Sequence, residues 1–138
     1  MAAKDLFHDA VKQALLKEEW IVTADPLILK IDKVKLEIDL AAEKVFAAQK
    51  AGRKIAVEIK SFLHPSAITD FHSALGQFLN YRLGLQMIEP DRTLYLAVPI
   101  DIYQSFFQEK FTQEAVRQYQ VKLIAYDPVQ EVIIEWKE

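Results

Sequence analysis

The sequence predicts an α/β fold: a central mixed β-sheet with helices on both faces, stacked as a three-layer sandwich. Three observations predict it. Segments of helical spacing and segments of strand-like alternation interleave, from an opening helix through a run of strands to one long helix and a closing strand pair. The stretch LYLAV within Thr93–Val98 is apolar on both sides, as suits a strand covered on both faces. The 138 residues show no internal repeat and no shift of composition, so 1–138 is expected to form one domain with a substantial core.

Residues 4–19 read as a helix, because Phe7, Val11, Ala14, Leu15 and Glu18 recur at helical spacing and Leu6 and Ala10 widen the apolar stripe. Trp20–Thr23 reads as a short strand closed by the turn signal Asp25-Pro26. Leu27–Ile31 alternates, and Asp32-Lys33 turns it into Lys35–Leu40, where Leu36 and Ile38 alternate with Lys35, Glu37 and Asp39. Ala41–Ala51 is built from good helix formers with Gly52 as a stop. Helix is the preferred reading, with a second strand turning at Ala51-Gly52 as the alternative. Lys54–Phe62 is a strand; Ile55, Val57 and Ile59 face one way, and Ala56, Glu58, Lys60 and Phe62 the other.

His64-Pro65-Ser66 ends that strand, and Ser66 caps a helix over 66–86. Its expected buried face is Ile68, Phe71, Leu75, Phe78, Leu79 and Leu83. Asp70, Ala74, Gln77 and Tyr81 stack along a different stripe. Glu89-Pro90-Asp91 turns into the strand Thr93–Val98. Asp101–Gln108 and Thr112–Tyr119 follow as short helices, and Val121–Tyr126 and Glu131–Trp136 as strands around Asp127-Pro128.

Composition narrows the function. With no cysteine there is neither a disulfide framework nor a thiolate zinc site. No apolar run approaches membrane-spanning length, and MAAKDLFHDA lacks a secretory apolar core, so no membrane association and a cytoplasmic location are expected. A net charge of −3 is wrong for a general DNA coater, which neutralises many phosphates. Any nucleic-acid contact must be a local patch, metal-bridged or shared with a partner. Lys50, Arg53 and Lys54 read as a solvated strand end, and His64 and His72 have no metal-ligand spacing. No Gly-rich phosphate loop, Ser-His-Asp set or cysteine nucleophile is present.

The chemistry concentrates between Asp39 and Lys60. Glu58 and Lys60 sit two apart on a strand, so both point to one side. If the strand ending at Asp39 runs beside them, two carboxylates and one ammonium converge. Such a pair of carboxylates can hold a hard divalent cation. The lysine can orient an attacking water or steady charge on a phosphate. An isolated Glu-x-Lys on a strand is usually a solvated face. Here the apolar Ala56 and Phe62 share that face, and Asp39 and Gln77 stand where partners are required. Aspartate, a spacer, then Glu-Ile-Lys resembles the core of the PD-(D/E)xK nuclease superfamily.

A narrower resemblance covers Asp5 to Trp136. FHDAVKQALLKEEW, AVEIKSF followed by His-Pro-Ser, ALGQFLNYR and DRTLYLAVP are together similar to the XisH family of excision controlling factors. The resemblance implies a restriction-endonuclease-like fold. It implies a role in cyanobacterial programmed excision of a DNA element, beside a recombinase and the companion factor XisI. Carried over by position, Asp39 and Glu58 are the metal carboxylates, with the Ile59 carbonyl as a further ligand and Mg²⁺ or Mn²⁺ as the ion. Lys60 is the catalytic lysine, and Gln77 with Tyr81 matches a Gln-x-x-x-Tyr placed near the metal or the scissile phosphate.

The chain departs from the superfamily pattern at Ile38, where a proline commonly precedes the aspartate. Related nucleases add an acidic residue from the first helix. Asp5, His8 and Asp9 are the candidates here, with His8 preferred because it lies on the Val11–Leu15 edge. Glu37 and Glu43 are unassigned.

Two functions of different class follow. One is an XisH-type factor with a metal-dependent nuclease-like site acting on DNA. The other is a non-catalytic accessory subunit that binds a XisI-type partner, DNA or both, and so supports a recombinase indirectly. A paired toxin-like or defence nuclease would use the same residues, and a homodimer would suit a duplex substrate.

Overall fold

The computed structural model describes residues 4–46 and 51–138. Its elements run α1 (His8–Lys17), β1 (Ile21–Ala24), β2 (Leu27–Ile31), β3 (Val34–Ile38), β4 (Leu40–Phe46), β5 (Ala51–Ile59), α2 (Ala67–Ile88), β6 (Arg92–Pro99), α3 (Ile100–Gln104), a 3₁₀ turn Phe106–Gln108, α4 (Lys110–Gln118), β7 (Leu123–Asp127) and β8 (Val132–Lys137).

One 6-stranded mixed sheet has the order β1-β4-β5-β6-β7-β8, and β2-β3 forms a separate 2-stranded hairpin. The pairs β5–β6 and β6–β7 are parallel, with α2 and then α3–α4 in the connections; the other pairs are antiparallel. Strand alternation divides the core. Ile55, Val57 and Ile59 meet Val11 and Leu15 of α1 on one face. Ala56 and Phe62 meet Phe71, Ala74 and Phe78 of α2 on the other, with Phe107, Ala115 and Val116 beyond. The expected two-faced strand is borne out: Leu94 to Val98 are all buried.

The largest correction concerns 41–51. Leu40–Phe46 is a strand, paired on one side with β1 and on the other with β5 over Leu40↔Val57 to Phe46↔Ala51. Helix propensity is a weak prior against two flanking strands. Ala41 and Ala42 are fully buried, and their small side chains fit a strand enclosed on both faces. Residues 47–50 of that reading lie outside the described residues.

Smaller corrections follow from local bonds. The first helix begins at His8, because the Asp5 carboxylate accepts the Phe7 N–H (3.0 Å) and holds a turn; Leu6 is left 73% exposed. Asp101–Gln108 breaks at Ser105 into α3 and the 3₁₀ turn. On α2 the buried stripe is rotated toward Ala74, Gly84 and Leu85, and Ile68 and Leu83 face solvent. The β2–β3 hairpin causes this by packing across the C-terminal half of α2: a Cβ on Gly84 would lie 2.6 Å from Leu36 Cδ1. Ser66 caps α2 as expected, its hydroxyl accepting the Thr69 N–H. Among the described residues no helix is long and apolar enough to cross a membrane.

Candidate active site

Asp39 sits at the bend between β3 and β4. Leu40 pairs with Val57, so extending that antiparallel register sets Asp39 opposite Glu58. The Ile59 N–H donates to Asp39 Oδ2 (2.7 Å), and the Asp39 N–H donates to Glu58 Oε1 (3.4 Å). A residue's N–H and C=O leave a strand on the same side, so the Ile59 carbonyl also faces Asp39. Lys60 Nζ lies 3.3 Å from Glu58 Oε2. Two carboxylates and an ammonium therefore do converge. The bend that separates the hairpin from the main sheet turns Asp39 toward the end of β5.

The electrostatics of this group are unbalanced. Glu58 is 5% exposed. Burial first, then the adjacent Asp39 charge, pushes its carboxyl up to about 8. Burial also raises Asp39, against the Ile59 N–H that favours its ionised form. Burial and the adjacent Asp39 charge both oppose ionisation of Glu58, so the pair resists carrying two negative charges near neutral pH. Lys60 supplies one positive charge to the buried Glu58 and the half-buried Asp39.

Tyr81 projects from α2 toward this end of the sheet, within electrostatic reach of Glu58 and Asp39, and Gln77 lies one turn before it on the same helix stripe. Burial first, then the charges of Glu58, Asp39 and Glu37, pushes the Tyr81 phenol up to about 12, so it remains an O–H donor. Gln77 Oε1 is buried without a hydrogen-bond partner. A buried acceptor left open on the helix stripe that carries Tyr81 can take a water. Asp39, Glu58 and the Ile59 carbonyl are the oxygen donors a hard cation would use. Among the described residues no group of three or more His, Asp and Glu side chains is gathered for a metal.

The first helix divides its candidates. His8 is buried as expected, but its Nε2 is 2.7 Å from Asp25 Oδ1, so its direct partner is not the carboxyl pair. Asp5 accepts the Ser61 N–H at 3.0 Å and so clamps the residue after Lys60. Asp9 is exposed. Asp70, on the same helix as Gln77, is taken up by His64, whose Nδ1 lies 2.6 Å from Asp70 Oδ1.

A family model described as XisH protein matches residues 1–134. The chain belongs to the XisH family. A crystal structure of an XisH family protein from Nostoc punctiforme PCC 73102 is 48% identical, with a TM-score of 0.87 over 97% of this chain and 100% of that one. A crystal structure of an fdxN element excision controlling factor protein from Anabaena variabilis is 50% identical, with a TM-score of 0.88 over 98% and 100% of the two chains. No curated protein matches this chain.

Three contacts in this XisH-family chain escaped the sequence. Asp25 read only as a turn residue, yet its carboxylate binds both His8 and Lys12 (2.8 Å). The Tyr126 hydroxyl donates to the Lys60 carbonyl (3.1 Å) and fixes the backbone of the lysine. Asp5 does the same for Ser61. Each joins residues far apart in the chain, and no local spacing announces such pairs.

Proposed function

We propose that this XisH-family chain is an element excision controlling factor with a metal-dependent nuclease-like site acting on DNA, on a sandwich of restriction-endonuclease type. The observation that carries the reading is the Asp39–Glu58 pair, one carboxyl half-buried and the other buried, with Lys60 the cation at salt-bridge distance among the described residues. Two mutually repelling buried carboxyls are costly unless a cation compensates them. Asp39, Glu58 and the Ile59 carbonyl would hold Mg²⁺ or Mn²⁺. When bound, the ion lowers the pKa of a water and offsets charge on a phosphate. Lys60, placed by Glu58 and by the Tyr126 bond to its carbonyl, orients the attacking water. Gln77 presents its open acceptor to that water, and Tyr81 donates its O–H to a phosphate oxygen. His8, bound to Asp25, steadies the first helix behind the site and does not touch the reacting atoms.

The test is cleavage of plasmid and of single-stranded DNA with Mg²⁺ or Mn²⁺, and with EDTA as control. Wild-type cleavage should need the ion and fall by about two orders of magnitude or more in Asp39→Asn and Glu58→Gln, with folding intact. Full activity in either variant would sink the assignment.

A second reading, a non-catalytic accessory subunit for a recombinase, draws on different observations. The chain is net acidic at −3. Leu83, Met87 and Ile88 of α2 and Ile28 and Val34 of the hairpin packed on it are exposed apolar side chains of the kind a protein partner covers. A stable complex with a XisI-type partner, and no cleavage by either protein or by both together, would favour it. A homodimer is the assembly proposed for a duplex substrate under the first reading.

A further inference from the structure

The solvent side of α2 differs from that of the other helices. Of the 22 residues of Ala67–Ile88 only Asp70 and Arg82 are charged, and neither is among the exposed positions of the helix. Asp70 is held by His64, and Arg82 donates to the carbonyls of Tyr119 and Gln120. By contrast, α1 sets Asp9 and Lys17 in solvent, and α4 sets Lys110, Glu114 and Arg117 there. A chain that is 27% charged ordinarily solvates a long helix face with charge. α2 instead exposes Ile68, Leu83, Met87 and Ile88, with Leu83 at 55% and Met87 at 59%. Depletion of charge around apolar side chains, methionine among them, marks the core of an interface.

The spacing on that side points to what covers it. Ile68, His72, Gly76, Leu79, Leu83 and Met87 follow at steps of four, four, three, four and four, a stripe about 100° wide along about 28 Å of helix. The steps read the same from either end. An antiparallel second copy laid along the stripe therefore pairs Ile68 with Met87, His72 with Leu83 and Gly76 with Leu79, each pair occurring twice. The middle pair fits by shape. A Cβ at Gly76 would meet nothing within 4 Å, so a small residue there leaves a flat spot in which Leu79 of the second copy can seat. Among the described residues nothing packs on that spot, although glycine costs a helix stability. No charge meets its like across the contact, which suits two copies that each carry −3.

We propose that the solvent face of α2 is the two-fold interface of a homodimer, with the two helices antiparallel about a point between Gly76 and Leu79. This gives the homodimer named above its surface, and it stands on α2 without depending on the carboxylate site. Covering the face would bury on the order of 600 Å² per copy, or about 1,200 Å² in all, the lower end of specific interfaces, so a dissociation constant on the order of 10 μM is expected.

The test uses the full chain in EDTA without nucleic acid, so its outcome is separate from that of the nuclease reading. Sedimentation equilibrium from about 1 to 200 μM should show a reversible monomer–dimer equilibrium for the wild type. Leu83→Glu/Met87→Glu changes two side chains that are already exposed in the single chain, and should weaken the dimer at least tenfold with the circular dichroism spectrum unchanged. Leu83→Glu alone carries the same test, with a smaller loss, if the double variant does not fold. The pairing is read by cross-linking, because the chain has no cysteine of its own. Ile68→Cys and Met87→Cys proteins, mixed and treated with a short bismaleimide, should give a covalent dimer. Neither should do so alone, because like positions would lie about 28 Å apart. A wild type that stays monomeric throughout, a folded charge variant that dimerises like the wild type, or a cysteine variant that cross-links to itself as readily as to the other would overturn the proposal. So would a monomeric wild type that captures a XisI-type protein through Leu83 and Met87, which would give the face to that partner.

Discussion

Two acidic groups are drawn at least partly into this fold, Asp25 and the Asp39–Glu58 pair, and their charge balance differs. Asp25 stands between His8 and Lys12, at 2.7 and 2.8 Å. Burial opposes its ionisation, but Lys12 and then His8 outweigh it and hold the carboxyl below its ordinary value. Asp39 and Glu58 stand beside each other, and among the described residues Lys60 is the cation at salt-bridge distance; both carboxyls are raised. The first group is complete within the protein. The second carries less positive charge than its carboxyls would balance, and the proposed metal would supply it.

The largest expected effect lies at the second group. Glu58→Gln removes a charge and keeps the shape. Metal-dependent cleavage should drop by roughly two orders of magnitude or more, while thermal unfolding at pH 8 without metal should shift upward. Cleavage and unfolding scans on one sample check both. A variant that loses activity and also loses stability would equate the two groups and break the comparison.

The pH dependence comes next. A carboxyl raised on folding makes the native state bind more protons than the unfolded one. Its contribution is therefore full below the unfolded value near 4.5 and is lost as pH rises toward about 8. The metal-free protein should weaken across that window by on the order of a few kcal/mol, and Mg²⁺ should restore the loss. Asp25 has the opposite sign. Its contribution is present above its unfolded value and is lost as pH falls through its lowered folded value, below about pH 4. Denaturant midpoints at pH 3, 5, 7 and 8.5, with and without Mg²⁺, separate the two.

Asp25→Ala should cost about 1–3 kcal/mol at pH 7 by leaving buried His8 without its partner. Any loss of cleavage should be smaller than in Glu58→Gln. Smallest of all, Gly76→Ala on the exposed side of α2 meets nothing within 4 Å and should stabilise by roughly 0.5–1 kcal/mol through helix propensity. Cleavage should not change, which makes it the control for a stability change far from both groups.

Much of this was legible where the signal is local. Strand alternation placed Glu58 and Lys60 on one side with Ala56, and the Ser66 cap set the start of the long helix; the strand itself stops at Ile59, and Phe62 reaches the α2-side core from a left-handed backbone (φ 54°) rather than from the strand. The hairpin turn at Asp32-Lys33 and the two-faced strand around LYLAV were equally direct. The central strand β4 was not, because its alanines, glutamate and lysine favour a helix in isolation and only the flanking β1 and β5 decide otherwise. At the site, Asp39 could be placed only as the end of a strand; the bend that turns it onto Glu58 belongs to the tertiary fold. Asp25 and Tyr126 contribute through partners 17 and 66 residues away, beyond the reach of any spacing rule.

The measurement that bears most directly on the central claim is calorimetric titration of Mn²⁺ into the wild type and into Glu58→Gln at pH 7.5. Saturable binding with release of the proton that the raised Glu58 carboxyl holds, seen as a heat that varies with the buffer, and its loss in the variant are the predicted result. No binding to a folded wild type, or equal binding to both proteins, would contradict it: Asp39 and Glu58 would then be a strained pair that the fold tolerates.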